Sequence, residues 1–139
     1  MKILLVDDNA LFLASAQRFL AGIEAAAVAT AHDGFKAMEH LGRERPDLVP
    51  MDLNMPGMNG LETIRRIKAL DPAIRVIVVS LHDAVEFRTA AARAGAEDFV
   101  NKQDFAAKIP LLLKQGGVRA ARSDRPEAGR KRTRAARSS

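Results

Sequence analysis

Three carboxylates stand directly after apolar runs, an arrangement that could support metal and phosphate chemistry. Asp7 and Asp8 follow the apolar residues 3–6, and Asp52 ends a later apolar run. If both runs are parallel strands of one sheet, their carboxyl ends meet at one edge and bring the acids together. Clustered carboxylates need a neutralising charge, and Mg²⁺ takes oxygen ligands while it keeps positions open for water or phosphate. The spacing therefore predicts a magnesium site that can accept a phosphate group.

Alternating apolar runs and helical patterns predict the elements that position these acids. Apolar runs predict five strands, at residues 3–6, 25–30, 47–52, 74–80 and 97–101. Helical spacing predicts five helices between and after them, at residues 12–23, 35–41, 61–70, 84–94 and 105–113. Five βα units in a row predict an α/β fold, a doubly wound parallel sheet with helices on both faces.

Two further polar side chains fall at the ends of the predicted strands. Ser80 ends the fourth strand, and Lys102 directly follows the fifth. Ligands of such sheets lie beyond the carboxyl ends of the strands, so Ser80 and Lys102 join the three aspartates as candidate site residues.

Taken in chain order, these residues resemble the receiver domain of two-component response regulators over about residues 2–115. The matching features are the Asp7-Asp8 pair, the segment Asp52-x-x-Met55-Pro56-x-x-x-Gly60, Ser80, Gly95-Ala96 and Lys102. The stretch from Ser80 to Asp83 is most similar to receivers of the branch that usually carries a helix-turn-helix output. The resemblance implies a flavodoxin-like sheet of order 2-1-3-4-5 with five helices.

The resemblance also implies a role for each site residue. Asp52 would accept a phosphoryl group from a histidine kinase or a phosphotransfer protein, and Ser80 and Lys102 would contact that group. Mg²⁺ would be held by Asp7, Asp8, Asp52 and the backbone carbonyl of Asn54. The chain would be a signalling phosphoprotein that catalyses its own phosphotransfer and slow dephosphorylation, rather than an enzyme acting on other substrates.

The same resemblance implies a switch. Ser80 would move toward the phosphoryl group, and Phe99, three residues before the lysine, would fill the space that it leaves. The change would reach a face made by helix 4, strand 5 and helix 5, where an unknown output partner or a second copy of the chain would bind.

Composition excludes several other classes of protein. Among 139 residues there is no cysteine, so disulfides and thiolate metal sites are excluded, and the three histidines lack zinc-ligand spacing. No apolar run approaches the roughly 20 residues of a membrane span. The first residues do not resemble a signal peptide, so we expect a cytoplasmic protein.

The positive net charge of +5 comes from the end of the chain. We place the receiver domain at residues 1–116 and a basic tail, expected to be disordered, at 117–139. The tail has no room for a helix-turn-helix, so we expect a stand-alone receiver or one cut from a longer regulator. Its arginines could bind nucleic acid, but a solvated linker is the better interpretation.

Two other functions compete with that of a phosphoacceptor. A degenerate receiver would act as an interaction module without phosphorylation. A small Mg²⁺-dependent phosphohydrolase would need a second acid two residues after its nucleophile, where Asn54 stands. We rank the degenerate receiver second and the phosphohydrolase last.

Two prolines depart from the expected pattern. Pro50 falls within the third strand, where it cannot donate a ladder hydrogen bond, so we expect one bond to be lost or the strand to bend. Pro110 interrupts the last helix, which is therefore expected to kink or to begin near Pro110.

Overall fold

The structure is a computed structural model that describes residues 1–23, 25–55, 57–82 and 84–123, with side chains described as far as residue 115. Its strands are β1 (Lys2–Val6), β2 (Ala27–Ala31), β3 (Leu48–Met51), β4 (Arg75–Ser80) and β5 (Asp98–Asn101). Its helices are α1 (Ala10–Ala21), α2 (Gly34–Leu41), α3 (Gly60–Leu70), α4 (Val85–Ala94) and α5 (Phe105–Ser123). A 3₁₀ turn, Lys102–Asp104, joins β5 to α5.

Contacts divide the chain into two units, residues 1–106 and 107–139. The first contains the whole sheet, the helices α1 to α4 and the first two residues of α5. In the second, the described residues continue α5 as far as Ser123. Across the described residues, no helix has the length and apolar character needed to cross a membrane.

The five strands are parallel and follow the order β2-β1-β3-β4-β5, which confirms the flavodoxin-like topology. The central strands are buried almost throughout: residues 3–6 of β1, all of β3 and residues 76–80 of β4. Burial on both faces explains why these strands are continuous apolar runs rather than alternating ones. Because all strands point the same way, the polar residues that end them lie at one edge of the sheet.

Three helices begin at this edge with polar N-caps. The caps are Asn9, Asp33 and Asn59, whose side-chain oxygens accept backbone N–H groups of the first turns of α1, α2 and α3 at 3.0, 2.7 and 2.8 Å. A cap of this kind typically contributes about 1 kcal/mol to stability. The caps fix where each helix leaves the edge, and they thereby shape the rim of the region beyond the strands.

The bounds of several predicted elements need correction. β2 begins at Ala27 rather than at Ala25, because Ala25 has a left-handed backbone with φ of 68° and cannot continue a strand. The last helix begins at Phe105, so the prediction of a start near Pro110 is wrong. A 3₁₀ turn precedes this helix, and Asn101 caps the turn by accepting the N–H of Gln103. The backbone is therefore helical well before the proline. The helix also continues past residue 116, and the remaining tail residues, 124–139, lie outside the described residues, as does Pro56.

Pro50 lies buried in the central strand β3, as predicted. On the β4 side the register is continuous through Pro50, but on the β1 side only the two outer pairs form, Ile3↔Leu48 and Val6↔Met51. The Asp52 N–H donates to the Val6 carbonyl at 3.0 Å, so residue 50, two positions earlier, faces β1 as well. Because proline has no N–H, the β1–β3 ladder lacks one bond there, which confirms the expected loss.

Candidate functional site

Asp7, Asp8 and Asp52 meet at the carboxyl edge of the sheet. One carboxylate oxygen from each lies within 4.8 Å of the others. Asp7 and Asp52 are 2% and 6% exposed, whereas Asp8 is exposed to solvent. The backbone of each buried acid is still tied to the sheet, Asp7 N–H to the carbonyl of Ala31 and Asp52 N–H to that of Val6. The strands β1 and β3 therefore fix the two buried carboxylates, whereas the exposed side chain of Asp8 can change its position.

Each buried carboxylate uses one oxygen to hold its own loop. Asp7 Oδ1 accepts the N–H of Asn9 at 2.8 Å, and Asp52 Oδ1 accepts the N–H of Asn54 at 3.1 Å. Both bonds span two residues, a local turn that Asp favours. In each acid this leaves the second oxygen, Oδ2, to face the space between the strands.

Lys102 reaches both of these free oxygens. Its Nζ lies 2.7 Å from Asp7 Oδ2 and 3.3 Å from Asp52 Oδ2, and its side chain is only 11% exposed. Lys102 is the first residue after β5, which β4 separates from β3, and its long side chain extends across to the acids of β1 and β3. The structure brings Asp7, Asp52 and Lys102 together in a single cluster.

The charges in this cluster perturb one another. Burial raises the pKa of Asp7 above its usual range, and the neighbouring charge of Asp52 adds to the rise; Lys102 and the Asn9 N–H act against it but do not cancel it. Burial alone would lower the pKa of Lys102, but Asp7 and Asp52 outweigh it, so that pKa is raised. Lys102 thus pairs with two of the three carboxylates, and the cluster keeps excess negative charge.

The described residues of this cluster fit a metal cation. Asp7 Oδ2 is buried, and the Lys102 ammonium group lies 2.7 Å from it. A buried carboxylate is costly unless a cation or a donor satisfies it, and here the two buried acids share one lysine. Together with Asp8 and Asp52, Asp7 supplies the hard oxygen ligands that magnesium and calcium prefer. The acidic pocket can therefore bind a metal.

Ser80 ends β4 beside this pocket and is 2% exposed. Its Oγ accepts the N–H of His82 at 3.1 Å, so the hydroxyl is tied to its own loop. A cavity of about 30 Å³ lies next to it, lined by Leu53, Asn54, Ser80, His82 and Phe87. That volume is enough for about one water molecule, which leaves Ser80 Oγ room to move.

Phe99 lies in β5, where it is 8% exposed and pairs in register with Val78. Ser80 follows two residues after Val78, so Ser80 and Phe99 are on the same face of the sheet. The guanidinium of Arg88 in α4 lies 5.1 Å from the centre of the Phe99 ring. The two predicted switch residues are therefore neighbours on one face.

Comparison with known proteins identifies the family. A family model described as the response regulator receiver domain matches residues 3–113. The chain belongs to the response regulator receiver family.

The receiver is similar to mycobacterial regulators. It is 35% identical over 128 residues to the transcriptional regulatory protein PrrA of Mycobacterium tuberculosis, covering 88% of this chain and 54% of PrrA. It is 34% identical over 119 residues to the response regulator MprA of Mycobacterium leprae, covering 83% of this chain and 52% of MprA. The chain thus spans about half the length of the curated relatives that it matches.

Solved receivers share the fold. The receiver domain of NtrX from Brucella abortus superposes with a TM-score of 0.75 at 29% identity, over 82% of this chain and 96% of that one. A two-component response regulator of the LuxR family from Aurantimonas sp. SI85-9A1 gives a TM-score of 0.75 at 28% identity, over 95% of this chain and 88% of that one.

Sequence reasoning about this receiver missed two residues of the site. Asn9 both caps α1 and donates its N–H to Asp7, and Phe12 places its ring 4.7 Å from Lys102 Nζ. Asn9 carried a usable signal, since Asn directly before a helical apolar pattern is typical of an N-cap. Phe12 carried no such signal, because its helical spacing placed it on the side of α1 that faces the core.

Proposed function

We propose that this receiver is a phosphoacceptor and that Asp52 takes a phosphoryl group from a histidine kinase or a phosphotransfer protein. The observation that carries the proposal is the position of Lys102 Nζ between the buried oxygens of Asp7 and Asp52. A purely structural ion pair would need one acid for one lysine, whereas Lys102 pairs with two acids and a third, Asp8, has an oxygen within 4.8 Å of theirs. Such an excess suits a site that binds a further cation and then an anionic phosphoryl group.

The chemistry follows from the roles of the side chains. An Asp52 carboxylate oxygen attacks phosphorus, and a P–O bond forms as the bond to the donor nitrogen or acyl oxygen breaks. The leaving group departs with that electron pair. Lys102 supplies positive charge to the phosphoryl oxygens, where charge develops. The Asn54 N–H holds Asp52 Oδ1 in place, so the carboxylate does not rotate freely while it reacts.

Mg²⁺ is the cation that we propose for the acidic pocket, with Asp7, Asp8, Asp52 and the Asn54 carbonyl as its protein ligands. When bound, it offsets the repulsion between the carboxylates and the incoming phosphoryl group. Asp8 is the exposed member of the cluster, and its side chain can reach the ion while its backbone stays at the end of β1. Asp7 contributes Oδ2, the buried oxygen that also pairs with Lys102.

For the output we propose a switch through Ser80 and Phe99. A phosphoryl group on Asp52 offers strong acceptor oxygens, and Ser80 Oγ would leave the His82 N–H to donate to one of them. Phe99, on the same face of the sheet, would then shift into the vacated space. The α4–β5–α5 face would pass this change to an output partner or to a second copy of the chain in the cytoplasm.

A second candidate is a degenerate receiver that acts by binding alone. The missing ladder bond at Pro50, two residues before Asp52, favours it. The assembled acids and Lys102 count against it, so we rank it below the phosphoacceptor.

Intact-protein mass spectrometry tests the proposal. The full chain is incubated with acetyl phosphate and Mg²⁺, with and without EDTA, alongside Asp52→Ala. We expect one phosphoryl adduct on the native chain, lost with EDTA and absent from the variant. A folded native chain that takes no adduct would favour the degenerate receiver.

A further inference from the structure

The ring of Phe12 lies against the ammonium group of Lys102. Lys102 Nζ is 4.7 Å from the centre of the ring, a distance typical of a cation–π contact. Phe12 is half-buried in the first turn of α1, and its N–H donates to the N-cap Asn9. The ring is thus positioned by the same loop that carries Asp7 and Asp8.

These contacts form a closed series that begins and ends at Asp7. Asp7 Oδ1 accepts the Asn9 N–H, Asn9 Oδ1 accepts the Phe12 N–H, the Phe12 ring meets Lys102, and Lys102 Nζ returns to Asp7 Oδ2. Each of these contacts, except the one between the Phe12 ring and Lys102, is a hydrogen bond or an ion pair.

The Phe12 ring is itself supported from behind. It meets Phe105 edge to face at 5.5 Å, and Phe19 of the same helix meets Phe105 at 6.1 Å. Phe105 is buried and directly follows the 3₁₀ turn that contains Lys102. The ring therefore has little freedom to turn away from the lysine.

We propose that Phe12 is a positioning residue for Lys102, one that holds its ammonium group over the site without trapping it. The proposal rests on the proposed phosphoacceptor function. A third carboxylate in this place would bind the lysine too tightly and repel the phosphoryl group. A ring face attracts a cation through its quadrupole but carries no net charge and accepts no strong hydrogen bond.

The consequence concerns the step in which Asp52 is phosphorylated. As the Asp52 oxygen bonds to phosphorus and acetate leaves with the electrons of the broken P–O bond, Lys102 must exchange Asp7 for a phosphoryl oxygen. Phe12 keeps Nζ between the two acids during that exchange. Without the ring, the flexible stem of lysine samples other positions, and the transition state is stabilised less often.

Three single variants of the full chain separate positioning from packing. Phe12→Leu keeps an apolar side chain but loses the ring face, and Phe12→Tyr keeps the ring. Phe19→Leu is the matched control, because it removes a ring from the same Phe105 cluster without touching Lys102. We measure the rate of adduct formation from acetyl phosphate at saturating Mg²⁺, and the melting temperature of each variant.

A second readout needs neither Mg²⁺ nor phosphate. In metal-free protein, the NMR signals of the Lys102 ε-protons should be shifted upfield by the Phe12 ring current. Phe12→Leu should abolish this shift, whereas Phe12→Tyr and Phe19→Leu should keep it.

We expect Phe12→Leu to slow adduct formation roughly three- to tenfold, with Phe12→Tyr close to the native rate and Phe19→Leu unchanged. Equal rates for Phe12→Leu and Phe19→Leu, in a native chain that is phosphorylated, would overturn the positioning role alone. A native chain that is never phosphorylated would overturn the proposed function and this inference with it.

Discussion

Lys102 Nζ lies closer to Asp7 Oδ2 than to Asp52 Oδ2, at 2.7 Å against 3.3 Å. The nearer partner of the lysine is thus an acid that we propose as a metal ligand, and the farther partner is the proposed phosphoacceptor. Because a metal cation and Lys102 would compete for the same oxygen of Asp7, metal binding and the lysine position are expected to be coupled.

Lys102→Met tests this competition. Methionine keeps the length of the side chain and removes its charge, so the acids should bind Mg²⁺ roughly three- to tenfold more tightly. The same variant should be phosphorylated at least about tenfold more slowly, because the phosphoryl oxygens lose a positive charge. The chain has no Trp and no Tyr, so Mg²⁺ binding is measured by calorimetry or amide NMR. Weaker Mg²⁺ binding by the variant would contradict the competition.

Asp7→Asn should stabilise the metal-free protein. Burial raises the pKa of Asp7 in the folded state, so the folded chain holds a proton at pH values where the unfolded chain has lost it. Stability therefore falls as the pH rises from the unfolded value of 3.8 through the raised folded value, and the loss is complete above that folded value. A neutral amide avoids this loss, so we expect Asp7→Asn to raise the stability of the metal-free protein.

Thermal unfolding in EDTA across pH measures this effect. The gain from Asp7→Asn should be largest at neutral pH and should shrink in acid. Asp8→Asn is the control, because Asp8 is exposed and should change the metal-free melting temperature little. Mg²⁺ should then stabilise the native chain more than Asp7→Asn. A lower melting temperature for Asp7→Asn in EDTA would show that the Lys102 ion pair outweighs burial.

Pro50→Leu should raise the unfolding free energy by about 1–2 kcal/mol, because leucine restores the N–H that the β1–β3 ladder lacks. Denaturant unfolding measures the gain, and a slowly exchanging amide at position 50 would identify the new bond. Pro72→Leu, in an exposed turn outside the ladders, is the control for the effect of proline on the unfolded chain. A stability loss in Pro50→Leu would mean that the strand has adapted to its proline.

Gly60→Ala should destabilise the loop between Asp52 and α3. A Cβ at position 60 would lie 2.5 Å from Leu53 Cα and 2.9 Å from the Leu53 carbonyl oxygen, and backbone atoms cannot easily move aside. We expect a loss of about 2 kcal/mol or more. Gly42→Ala is the matched control, because its Cβ would meet nothing closer than 3.4 Å. Equal melting temperatures for the two variants would contradict the tight approach.

The strand ends were predictable because their signals are local. The apolar run before Asp7 and the β-branched run before Ser80 mark buried parallel strands, and the fold rule for such sheets places their polar ends together. The family resemblance added the strand order. Asn59 and Gly95, the cap of α3 and the end of α4, also follow rules that a sequence shows directly.

The rest depends on contacts between distant residues or on backbone states that the sequence does not mark. Ala25 looks like part of β2 but adopts a left-handed conformation, which alanine seldom does. Pro110 suggested a helix start, yet the helix begins at Phe105. The Phe12–Lys102 contact joins residues about 90 positions apart in the chain, and helical periodicity reports a buried face without naming what it faces.

Chemical trapping at Asp52 tests the central claim most directly. Borohydride reduces an aspartyl phosphate to homoserine, so peptide mapping after phosphorylation and reduction reads out the residue that carried the phosphoryl group. We predict homoserine at position 52, dependent on Mg²⁺ during phosphorylation, and aspartate retained at positions 7 and 8. Homoserine at position 7 or 8, or none in a chain that carries the phosphoryl adduct, would contradict Asp52 as the phosphoacceptor.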